Sequence, residues 1–121
     1  MEHELSAIYD ITHGLGLAIL TPRWMQYTLD ETTVSKFRQF GVNVFGLDAA
    51  LPPMDVAQKS IQLLSDFFFH TLGLNSTLTG IGIDDANFAA MAKKASTLGG
   101  TMHAFKPLGP QDIENIYRMC L

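Results

Sequence analysis

Two imidazoles stand ten residues apart in the opening stretch MEHELSAIYDITHGLGLAIL, at His3 and His13, and Gly14 follows the second at once. Thr12 reads as the N-cap of a helix that opens at His13. A histidine there has its ring held by backbone on one side and open to a pocket on the other. Gly14 removes a side chain and lets a ligand or a second helix come close. Neutral imidazole is the commonest metal ligand. A metal site needs at least three protein ligands, and His-x9-His is neither a zinc-finger nor a zincin spacing. Any co-ligands of His13 must come from elsewhere. His3 could move a proton or line a substrate pocket; periodicity by itself favours a solvated histidine near a chain end.

The remaining reactive side chains read as structural. His70 follows Phe67, Phe68 and Phe69 near a helix C-terminus, where a cation suits the helix dipole. His103 lies in the loop GGTMHAFKPLGP and reads as a surface residue. Trp24, Met25 and Tyr27 fit a core or interface face. Asp84 and Asp85 read as a cap, not a catalytic dyad. Cys120 sits on an inward stripe with only Arg118 as a basic neighbour, the setting of an inert thiol.

Composition narrows the classes. A chain of 121 residues carries a formal net charge of -4, with 17% charged residues and no basic run. That excludes a nucleic-acid footprint. A single cysteine excludes an internal disulfide framework and suits a reducing, cytoplasmic setting. Glu2 and Glu4 oppose a secretory signal, which needs a basic start. The longest apolar run, Leu15 to Leu20, is too short to span a bilayer. Mean hydropathy is +0.15, apolar for a small domain. An uncovered apolar patch, and contact with a partner or with a second copy through it, is therefore expected.

The elements that must position these residues are helices. Thr21-Pro22 predicts a break, with Thr21 capping a new helix and Pro22 at its first position. The segment 33–45 places Val34, Phe37, Gly41 and Val44 on one face. Residues 48–52 form a loop, and Pro53 opens the longest helix. Its stripe is Ala57, Ile61, Leu64, Phe68 and Leu72, and Gly73 is its stop. Asp84 caps a shorter helix with Phe88, Met91, Ala92 and Ala95 inward, ended by Gly99-Gly100. Pro110 opens a last helix with Ile113, Ile116, Tyr117 and Cys120 inward. Period-two alternation is nearly absent, so the fold is all-α, a helical bundle forming one domain over residues 1–121. The segment 78–83 could be extended. Neither Gly14-Leu15-Gly16 nor Gly80-Ile81-Gly82 completes a dinucleotide fingerprint, so no cofactor-binding residue is assigned.

Beyond spacing, the stretch HELSAIYDITHGLGLAILTPRWM resembles the start of the helical C-terminal domain of the iron-containing alcohol dehydrogenases, of the dehydroquinate synthase-like fold. The blocks KFRQFGVNVFGLD, SIQLLSDFFFHTLGL, TLTGIGID and FKPLGPQDIENIYRMCL resemble the butanol dehydrogenase branch, in order and over essentially the whole chain. The resemblance implies a two-domain oxidoreductase interconverting small alcohols and aldehydes by hydride exchange with NAD or NADP. It also implies a divalent metal, iron or zinc, held on the helical side by an aspartate and three histidines. The last of these matches His13. A non-ligand histidine near the substrate, sometimes given proton transfer, matches His3. The third ligand would lie four residues before His3, ahead of Met1. The other two ligands and the nucleotide-binding domain also fall outside these residues. The implied expectation is a chain that binds neither metal nor NAD(P) tightly by itself and is inactive in isolation, its natural partner being the N-terminal domain. The other reading is a non-catalytic helical interaction module, or the remnant of a truncated gene, that docks on a partner.

Overall fold

The computed structural model describes residues 1–96 and 100–121. There are six α-helices among the described residues: α1 Glu2–Tyr9, α2 His13–Thr28, α3 Val34–Phe45, α4 Pro53–Asp66, α5 Phe88–Ala95 and α6 Pro110–Arg118. Among the described residues there is no strand, only an isolated bridge between Met102 and Leu108. The segment 78–83 is not extended: it holds a 3-10 turn over Thr79–Ile81. None of the described helices is long and apolar enough to cross a membrane.

The central helix is α2, which packs on α1, α4 and α6. It also joins two cores. Ile19 and Leu20 enter the larger one, built with Leu5, Phe88, Ile113 and Tyr117. Met25 enters the smaller, with Phe37, Ala57 and Ile61. Trp24 is half-buried against both. Tyr27 reaches α6, where its hydroxyl donates to Asp112 Oδ1 at 2.7 Å.

The break expected at Pro22 does not occur. Pro22 lies inside an unbroken α2. A proline in a helix interior costs roughly 3 kcal/mol. Here both flanks are buried, at Ala18, Ile19, Leu20 and Met25, and Pro22 is itself buried. A bend would uncover that surface, so packing overrides the local preference. Thr21 does not cap; its hydroxyl donates back to the Leu17 carbonyl at 2.7 Å.

Helices α3 and α4 form a close pair. A Cβ on Gly41 would lie 3.0 Å from both Ser60 Cβ and Val56 Cγ1. Val44, expected inward, is 61% exposed, because α4 begins only at Pro53 and meets α3 around Phe37 and Gly41. After Asp66 the helix continues as a π-turn, Phe67–Thr71, with Leu72 N–H donating to the Phe67 carbonyl at 2.9 Å. The wider turn rotates the next residues about the helix axis, so Leu72, expected on the buried stripe, is exposed. Gly73 ends the segment at φ +66°, the left-handed stop that glycine favours.

Asp84 does not cap α5. It accepts the Ala86 N–H at 3.1 Å, and Asn87 occupies the N-cap. Asp85 pairs with Arg118 at 2.7 Å. Gly99, expected with Gly100 to stop this helix, lies outside the described residues. Ile113, Ile116, Tyr117 and Cys120 are fully buried, as their spacing predicts. Burial pushes the Cys120 thiol up to about 12, so little thiolate forms near neutrality. A thiol-directed disulfide reagent is expected to label Cys120 slowly in the native chain and promptly in urea. Labelling that is equally fast in both would contradict this packing.

Candidate metal centre

The turn between α1 and α2 builds the site. Asp10 closes α1 in the left-handed region at φ 51°, and its N–H donates to the Ser6 carbonyl at 3.1 Å. After Ile11 and Thr12 the chain re-enters helix at His13. The expected N-cap position holds: the Thr12 carbonyl accepts from Leu15 at 2.9 Å and Gly16 at 3.1 Å, although the Thr12 side chain does not cap. So short a turn lays α2 back along α1 and brings His13 to the first turn of α1.

His3 and His13 meet there. Their rings stack with centroids 5.5 Å apart and planes 19° apart. Glu2 joins them: one ligand atom from each of Glu2, His3 and His13 falls within 4.8 Å of the others. Imidazole is a donor that suits zinc or ferrous iron, so His13 fits the metal that the resemblance implies. The two histidines are exposed and Glu2 is 5% exposed. The ring of His13 is not held by backbone, as expected from sequence, but by Glu2, whose Oε2 lies against His13 Nδ1. Gly14 is not the close approach either, since a Cβ there would meet nothing within 4 Å. The tight glycine is Gly16, where a Cβ would lie 2.6 Å from Glu2 Oε1.

Glu2 is thus the site residue that sequence reading misses. In the sequence it is only an acid near a chain start. The available signal is an acidic residue directly before one candidate histidine, with a glycine three residues after the other. The other histidines stay apart from this cluster. His70 pairs with Asp66 on its own helix at 3.4 Å, and His103 is exposed in the loop before α6.

Two hollows flank the exposed face of α2. One of about 240 Å³ opens beside Glu2 between Leu17, Leu20, Trp24 and Met102. The other, about 630 Å³, runs from Thr12 and Gly14 past Leu17 to Phe68 and Leu72. Lys106 pairs with Asp30 and holds the loop that carries Met102 and Phe105. That ammonium, first among the causes, and the Thr32 donors keep the Asp30 carboxyl well below the usual carboxylate range.

A helical unit of this architecture is what one protein family contains as its C-terminal part. The family model described as Fe-containing alcohol dehydrogenase family, C-terminal, matches residues 1–121, and the chain belongs to that family. It is 47% identical over 119 residues to NADH-dependent butanol dehydrogenase B of Clostridium acetobutylicum, covering 98% of this chain and 30% of that protein. The crystal structure of NADH-dependent butanol dehydrogenase A from Thermotoga maritima superposes with a TM-score of 0.81 at 26% identity, covering 98% of this chain and 31% of that one. A 1,3-propanediol oxidoreductase structure gives a TM-score of 0.87 at 26% identity, over 99% of this chain and 31% of that one. The chain therefore spans about 30% of the length of the curated relatives it matches.

Proposed function

We propose that this chain is the metal-side helical domain of an NAD(P)-linked alcohol dehydrogenase that interconverts small alcohols and aldehydes. The observation that supports it most is the gathering of His3 and His13 within a chain matched from end to end by the C-terminal family model. When bound, the divalent metal supplies Lewis-acid polarisation of the substrate oxygen. His13 is its ligand from this chain. His3, stacked on His13 and exposed, is the group that exchanges a proton with the substrate oxygen in this reading. The exposed face of α2, with Leu17 between the two hollows, is where the remaining part of the enzyme supplies nicotinamide and the other ligands.

In this reading the chain alone does not turn over. Incubated with NADH or NADPH, butanal and zinc or ferrous iron, it is expected to show no turnover above background. Grafted in place of the C-terminal 30% of the Clostridium acetobutylicum relative, it is expected to restore NADH-linked reduction of butanal. A soluble, metal-loaded chimera with no activity would overturn the proposal.

A further inference from the structure

Glu2 is a buried carboxylate with little around it to explain its place. Its side chain leaves α1 toward the centre of the α1–α2 hairpin and is 5% exposed. Oε1 accepts a hydrogen bond from the Ser6 hydroxyl, one turn along, at 2.6 Å. Oε2 takes no hydrogen bond among the described residues, and the group that lies against it is His13 Nδ1. Burying a carboxylate is costly unless its oxygens are satisfied. The fold nevertheless makes room for it: Gly16 leaves open the space its carboxylate occupies, where a Cβ would sit 2.6 Å from Oε1 and 2.9 Å from Cγ. Three residues on two helices thus converge to hold one oxygen against one ring nitrogen.

The geometry points to Glu2 as a positioning residue that fixes the tautomer and orientation of His13. A carboxylate oxygen can only accept, so the proton of neutral His13 is held on Nδ1. The lone pair is then left on Nε2, on the side away from Glu2. A free imidazole in water prefers the opposite tautomer, with its proton on Nε2. Which ring nitrogen of a ligating histidine is available is set by the hydrogen bond the other one makes. Glu2 would therefore prepare His13 to bind through Nε2 before any metal arrives, which rests on the reading of His13 as a ligand. Ser6 and Gly16 act through Glu2, Ser6 by anchoring its second oxygen and Gly16 by leaving it space.

The test is nitrogen-15 NMR of the imidazoles in the metal-free, full 121-residue chain, at a pH well above the ordinary histidine value. The wild-type His13 signals are expected to place the proton on Nδ1. In Glu2→Ala they are expected to change to the Nε2-protonated form, and Glu2→Gln, whose amide oxygen can still accept, is expected to retain the Nδ1 proton. Gly16→Ala reaches the same link with Glu2 intact, by evicting its carboxylate, and guards against a Glu2→Ala chain that fails to fold. A wild-type His13 protonated on Nε2, or a tautomer indifferent to both Glu2→Ala and Gly16→Ala, overturns the inference. Zinc titrated into the same samples separates this from the function. A His13 Nε2 signal that responds to zinc, at roughly tenfold or more higher concentration in Glu2→Ala, supports both. A tautomer set by Glu2 with no response to zinc upholds the positioning role alone; the metal-ligand role is read separately, from the metal content of the His13→Ala chimera, where the other ligands are present.

Discussion

In a chimera that carries this domain on the Clostridium acetobutylicum relative, His13→Ala is expected to lower kcat/KM for butanal by at least about a hundredfold, together with loss of the bound divalent metal. The magnitude follows from comparison. Removing a group that only orients a metal-bound histidine costs about 10- to 100-fold in affinity or activity, and removing the ligand itself must cost more. His3→Ala separates the two roles. It is expected to lower kcat and alter the pH profile while metal content, read by elemental analysis, stays at the level of the parent. General acid–base groups contribute about 10²- to 10⁴-fold, so the activity loss alone does not distinguish the variants; the metal content does. Full metal loading in His13→Ala would exclude it as a ligand, and loss of metal in His3→Ala would make His3 one.

Phe88→Ala is expected to remove about 3–5 kcal/mol of stability, the range for emptying a buried aromatic site. That is a large part of the roughly 5–15 kcal/mol that holds a typical domain together. Helix α5 has 8 residues, too few to persist without tertiary packing. Phe88, Met91 and Ala92 anchor it, all almost fully buried. Phe88 lies against Tyr117 with ring centroids 5.3 Å apart. Tyr117 in turn donates its hydroxyl to the Met1 carbonyl at 2.7 Å, and Lys94 of α5 pairs with Glu4 of α1 at 3.1 Å. The cavity therefore opens behind the helix that carries Glu2 and His3. Urea unfolding followed by circular dichroism measures the loss. A change below about 1 kcal/mol would mean that α5 does not depend on this contact.

Much of the fold is legible because it depends on one-dimensional pattern. Apolar residues three and four apart define a helix face whatever that face meets. Hence α6 appears with Ile113, Ile116 and Tyr117 inward and Cys120 buried just past its end, and α3 and α4 begin within a residue of where threonine and proline mark them. Gly73 stops its helix because the backbone there needs a positive φ, a property of the residue itself. The family can be recognised for a related reason: the order of several blocks survives in the string.

Where a neighbour in space outweighs the local preference, the string is silent or misleading. Pro22 reads as a break, but the apolar surface buried on either side of it keeps α2 unbroken. Leu72 belongs to the stripe on a regular helix, and the π-turn at Phe67–Thr71 turns it out to solvent. Residue type and family spacing make His3 and His13 candidates, yet give no reason for their rings to touch. Only the three-residue turn that folds α2 onto α1 stacks them. The same fold sinks Glu2 into the space left by Gly16, because that space exists only when two helices pass within reach of each other. Residue type thus determined which groups could do chemistry. The packing of α1 on α2 decided that the Glu2 carboxylate lies against Nδ1 of His13.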